Sequence, residues 1–74
     1  MSSESRNPLI ALPAAKEIAA LPSESRGALR QLLLDLSKQA DAKAEHSWKK
    51  RKAPLAAYWR AQAVYARHIA RLLR

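Results

Sequence analysis

Eight cationic side chains are the residues best suited to chemistry in this chain. Lys49, Lys50, Arg51 and Lys52 form one run, and Arg60, Arg67, Arg71 and Arg74 follow it. Their shared chemistry is anion binding. An ammonium acts as a compact point charge, and a guanidinium forks onto phosphate or carboxylate oxygens. On a helix advancing about 100° per residue, the four arginines fall within about 60° of one another. No acidic residue lies among them in the sequence. A run such as Lys49–Lys52 suits a phosphate backbone or a nuclear import signal, and its plainer reading is a solvated loop. The plain reading of the arginines is complementation of a helix C-terminus. That accounts for Arg71 and Arg74, less well for Arg60, and not for the lysine run.

The aromatic residues interleave with these cations. Trp48, Tyr58, Trp59 and Tyr65 could stack on exposed bases. Tyr58 and Tyr65 are seven positions apart, however, and that spacing favours a place in a helical core. Trp48 and Trp59 sit nearer the edge of the apolar face and stay open between the two roles. Gln62 falls mid-seam, where a polar side chain can fix the register between helices.

Nothing in the sequence suggests catalysis. His46 and His68 stand far apart along the chain, with no cysteine and no His-Glu-x-x-His pattern. A single glycine leaves no phosphate-cradling loop, and the acidic residues are scattered and expected to face solvent. The expectation is a protein that is not an enzyme and uses no metal or cofactor.

Charge is divided along the chain. Residues 1–45 hold six basic and six acidic residues, while residues 46–74 hold eight basic and none acidic. The whole net charge of +8 therefore belongs to residues 46–74. Such asymmetry calls for an anionic partner: nucleic acid, an acidic protein surface or an anionic membrane.

The elements that must position these residues read as all-α. Residues 1–12 are expected to be a flexible N-terminal segment, although Asn7-Pro8 can cap a short turn. Residues 13–74 form one helical domain. Ala-Leu-Pro occurs twice, at 11–13 and 20–22, and each proline can open a helix at its first position. The first helix is predicted over 13–21, with Leu12, Ile18 and Leu21 facing the core. The second runs over 23–50, with Ser23 as its N-cap and Ser25 as competitor. Its stripe of Leu29, Leu32, Leu33 and Leu36 thins to Ala40 and Ala44, where a neighbouring backbone could approach closely. Trp48 would fill the far end, and Glu45 and Lys49 form a favourable i,i+4 pair.

The third helix is predicted over 54–74. Leu55, Tyr58, Gln62, Tyr65, Ile69 and Leu72 make one row, and Trp59, Ala63, Ala66, Ala70 and Leu73 make a second beside it. Ala53-Pro54 separates the two long helices. An antiparallel hairpin is preferred there to a single helix kinked at Pro54.

A cysteine-free chain of 74 residues buries a small core. The apolar faces are also too wide for one partner each, so a homodimer with a four-helix core is expected. No apolar run reaches the length of a membrane span and the N-terminus has no apolar signal core, so the protein is expected in the cytoplasm.

The preferred functional reading is nucleic-acid binding, mainly through phosphates, in an accessory or regulatory role. The runner-up is a protein-binding adaptor or inhibitor whose basic face docks an acidic surface. Binding of the last helix to a membrane surface ranks lower, because the Leu29–Leu36 stripe needs that helix as its partner. A helix-turn-helix over the first two helices also ranks low. Its link lacks glycine, and the would-be reading helix opens on the charge-balanced Ser23-Glu24-Ser25-Arg26.

Overall fold

A computed structural model describes residues 7–74. Among them the chain is all helical, with no strand. A 3-10 turn at Pro8–Ala11 precedes α1 (Pro13–Ala19), α2 (Ser23–Lys49) and α3 (Ala53–Leu72). No helix among the described residues is long and apolar enough to cross a membrane. The expected flexible segment divides in two. Residues 1–6 lie outside the described residues, whereas Asn7 is buried and its side chain organises the 3-10 turn.

The boundaries follow from the prolines. Pro22 has an extended backbone (φ −53°, ψ 145°), and its carbonyl accepts the first helical bond from the Arg26 N–H at 2.9 Å. Pro22 thus occupies the cap position expected of Ser23, and no side chain among the described residues caps α2. Arg26 turns back instead, donating from Nε to the Leu21 carbonyl at 2.8 Å. Lys52 takes the corresponding place before α3, which puts Pro54 at the second helical position, one later than predicted. Its missing N–H would have had no helical partner there in any case.

α2 and α3 form the antiparallel hairpin, so Pro54 opens a new helix rather than kinking one. The turn between them is a Schellman closure. The Lys52 N–H reaches the Ser47 carbonyl at 2.9 Å, and the Arg51 N–H reaches the Trp48 carbonyl at 2.9 Å. Arg51 provides the required left-handed residue, with φ 61°.

The seam of the hairpin is made of small side chains. Ser37, Ala40, Ala44 and Ser47 are buried on α2, and Ala56, Ala63, Ala66, Ala70 and Leu73 are buried along α3. Both rows follow the three-and-four spacing of a helix face that meets an antiparallel neighbour. Ser37 stays satisfied in this dry seam by donating its hydroxyl to the Leu34 carbonyl at 2.7 Å.

This choice of row overturns several expectations. The seam is so narrow that large side chains are displaced sideways. Tyr58 and Tyr65 are exposed rather than core, as are Leu29, Leu32, Leu36 and Trp48. Gln62 is half-buried beside the seam, not within it. α1 is short and docks on the open end of the hairpin. It buries Ala15 and half-buries Ile18, while Leu12 and Leu21 stay exposed.

The hairpin therefore has two unlike flanks. Leu34, Asp41 and Trp48 recur at every seventh position on α2, across from Arg60 and Arg67 on α3 and Arg74 just beyond it, which have the same spacing. This is the charged flank. The other carries Leu29, Leu32, Leu36, Tyr58 and Tyr65 and is almost wholly apolar.

Candidate nucleic-acid interface

The cations separate into three groups. The first is the turn. Lys49, Lys50, Arg51 and Lys52 are all exposed, and no carboxylate among the described residues pairs with them. The favourable Glu45–Lys49 pair does not form, because Glu45 faces Arg60 instead, at 4.0 Å. Of the four, Lys49 and Arg51 lie beside Trp48, which is 64% exposed. Trp48, Lys49, Arg51 and Ala53 line an open cleft of about 450 Å³. A free indole face between an ammonium and a guanidinium can take a stacked base while the cations meet its phosphates.

The second group is paired with acids of the same chain. Arg60 donates from Nη1 to Asp41 Oδ1 at 2.9 Å, and Arg67 donates from Nη1 to Asp41 Oδ2 at 2.9 Å. Asp41 is half-buried and occupied on both oxygens, contrary to the expectation that the acidic residues face solvent. No acid lies near the arginine row of α3 in the sequence, but folding supplies one from α2. Arg60 and Arg67 thus each commit one guanidinium nitrogen to Asp41, while their side chains stay 52% and 39% exposed.

The third group lies at the open end. Arg30, Arg67, Arg71 and Arg74, with Leu34 and Ala70, line a cavity of about 200 Å³. Arg30 escapes a reading of the sequence because it belongs to the charge-neutral half of the chain. Pairing about the turn at Arg51 reveals it, since positions equally distant from that turn face each other. Arg30 and Leu72 stand equally far from Arg51, one on each side. Arg26 completes this end by donating from Nη1 to the Arg74 carbonyl at 2.8 Å.

The remaining candidates do not assemble into a chemical site. Trp59 is half-buried against Tyr58, with ring centroids 5.1 Å apart, and Lys43 Nζ lies 5.7 Å from the centre of its ring. Both contacts belong to the apolar flank. His46 is exposed and His68 half-buried, and no three metal-ligating side chains come together among the described residues. No family model, curated protein or solved structure matches the chain.

Proposed function

We propose that this is a small cytoplasmic nucleic-acid-binding protein with an accessory or regulatory role rather than a catalytic one. It would bind mainly through phosphate contacts made at the hairpin turn. The observation that carries this reading is the exposed Trp48 set against the unpaired cations Lys49 and Arg51. A merely solubilising loop needs the charges but has no use for an exposed indole. The backbone adds support, since a non-glycine residue with positive φ costs about 1–2 kcal/mol. Arg51 accepts that cost and keeps a guanidinium at the apex of the turn.

The open-end arginines extend the footprint. About 20 residues of helix separate the two basic ends, or roughly 30 Å, close to one duplex turn of about 34 Å. A protein contacting phosphates at both ends would follow the duplex along its charged flank. Base identity would then matter little compared with backbone charge. The binding unit would be a pair of copies, for a reason unrelated to charge: the apolar flank has no partner among the described residues.

The test is fluorescence anisotropy of random-sequence duplex and single-stranded DNA across a range of salt concentrations, with Trp48 emission followed in parallel. About four cations of one turn alone should give a log–log salt slope near −3 to −4, and a steeper slope would report the open-end arginines and the second copy as well. Lys50→Glu with Arg51→Glu should abolish binding without loss of helicity. Trp48→Ala should weaken single-stranded binding by about 1–3 kcal/mol, the worth of one base stack. An absence of binding at low salt would overturn the reading and point the turn toward an acidic protein surface.

A further inference from the structure

We infer that the apolar flank of the hairpin is the docking surface for a second copy of this chain. The two copies would form a four-helix core about a two-fold axis passing near Gln62. The starting observation is the composition of the core. Among the described residues, every fully buried apolar side chain apart from Leu73 is alanine, and no large side chain is completely enclosed. An alanine methyl removes far less apolar area from water than a leucine or tyrosine side chain does. The residues able to stabilise the fold most are therefore the ones left on the flank.

That flank is continuous. At the open end, a groove of about 340 Å³ between α1 and the hairpin is lined wholly by leucine and isoleucine. It runs through Leu33, Leu36 and Ile69 into a second hollow of about 440 Å³, walled by Tyr58, Trp59 and Tyr65. Leu32 is 59% exposed and Tyr65 is 56% exposed. With Leu21, Leu29, Leu36 and Tyr58, these side chains leave on the order of 600 Å² open, against about 800 Å² per partner in a standard interface. The half-buried residues between them supply most of the difference.

Three features select a second copy as the occupant. First, the described residues that line the flank include no acid and no arginine. Their one lysine, Lys43, lies over the Trp59 ring, so the surface does not repel an identical neighbour. Second, its polar groups are self-complementary. Gln39 on α2 and Gln62 on α3 lie in the middle hollow, and a primary amide both donates and accepts. Each can pair with its own copy across a two-fold axis, as a buried amide does when it sets helix register. Third, residues 1–6 contain a single apolar side chain, Met1, too little to match a flank of this size.

Charge selects the orientation. An axis across the middle of the hairpin sends the two Lys49–Lys52 turns to opposite ends, so the two runs of cations never meet. Each turn lies instead near the end of its partner where Glu17 and Glu24 stand among Lys16, Arg26, Arg30, Arg71 and Arg74, an end that repels it less than a second acid-free turn would. Both charged flanks then face outward. The pairing does not rest on the nucleic-acid reading, and its test needs no nucleic acid.

The experiment is sedimentation equilibrium of the full chain at micromolar concentration in moderate salt, with cysteine cross-linking alongside. The expected mass is twice the 8.3 kDa of one chain. A monomer with full helical ellipticity would overturn the proposal and leave the flank to a different protein. In this cysteine-free chain, Gln62→Cys should cross-link to its own copy on mild oxidation, and Arg71→Cys on the charged flank should not. The reverse pattern would mean that the copies meet through the arginines, and the proposal would fail. Leu36→Lys with Tyr65→Lys should raise the dimer dissociation constant at least about 100-fold. Retention of the wild-type mass by this variant would also overturn it. The cross-linking result stands whether or not that variant folds.

Discussion

Asp41 and Arg67 lie 26 residues apart in sequence and meet at 2.9 Å across the hairpin. With Arg60 on its other oxygen, Asp41 holds two cations that would otherwise join the anion-binding set. Asp41→Asn should therefore act in two opposite directions. Partly exposed pairs of this kind contribute up to about 1 kcal/mol each, so stability to urea should fall by about 1–2 kcal/mol. DNA affinity should rise at low salt, and the salt slope should steepen by about 1–2 as Arg60 and Arg67 become available. An unchanged slope would mean that these arginines cannot reach the nucleic acid.

The turn can be separated from its charge. Arg51→Gly satisfies the left-handed backbone of the Schellman closure without a Cβ, and should stabilise the hairpin by about 1 kcal/mol in denaturant titrations. The same substitution removes one cation, so the salt slope should fall by about 1. A more stable protein that binds less tightly is the expected outcome. A loss of stability would show that the arginine side chain supports the turn through contacts of its own.

The small-residue seam should be intolerant of volume. Ala63 is 0% exposed, and Ala63→Leu inserts a branched side chain where two helix backbones converge. The cost should be about 1–3 kcal/mol, read as a lower urea midpoint. By the same reasoning Tyr65→Ser, more than half exposed in the single chain, should change the intrinsic stability of the hairpin little. Its effect should appear only in association.

Asn7 is the clasp of the N-terminal region. It is 4% exposed, donates from Nδ2 to the His68 carbonyl at 3.0 Å and accepts the Leu9 N–H at 3.3 Å. Asn7→Ala should cost about 1–2 kcal/mol. Amide exchange should locate that loss in the 3-10 turn and α1, with α2 and α3 still protected.

Much of the fold is legible in the sequence because its signals are local. The 3.6-residue periodicity of α2 and α3 and the break at Ala53-Pro54 each depend on a few neighbouring residues. The low apolar content after Leu36 points to a small-residue contact at Ala40 and Ala44, and both are buried. What the sequence leaves ambiguous is the choice between two adjacent rows on α3. The Tyr58–Tyr65 row offers more apolar area, and the Ala63–Ala70 row offers closer contact. A single chain takes the second, and the tyrosines go to the flank. The exposed cluster of cations at the turn is legible because its members are neighbours in sequence. The ion pairs of Arg60 and Arg67 are not legible, because their partner Asp41 arrives only through the antiparallel pairing. Arg30 is missed for the same reason.

The Schellman closure at Lys50–Lys52 also bears on the order of folding. Ser47 and Ala56 are the seam residues nearest the turn, nine positions apart, and each later pair along the hairpin spans a longer loop. Pairing that proceeds outward from the turn avoids large loop-closure costs, the pattern of fast-folding helical proteins. Yet four like charges crowd the place where that zipper must start, and bringing them together opposes nucleation. Added salt, or a bound polyanion, would relieve that opposition in the transition state as well as in the native state. The hairpin should then fold faster, so the ligand of the turn would speed the folding of the protein it binds as well as stabilise it.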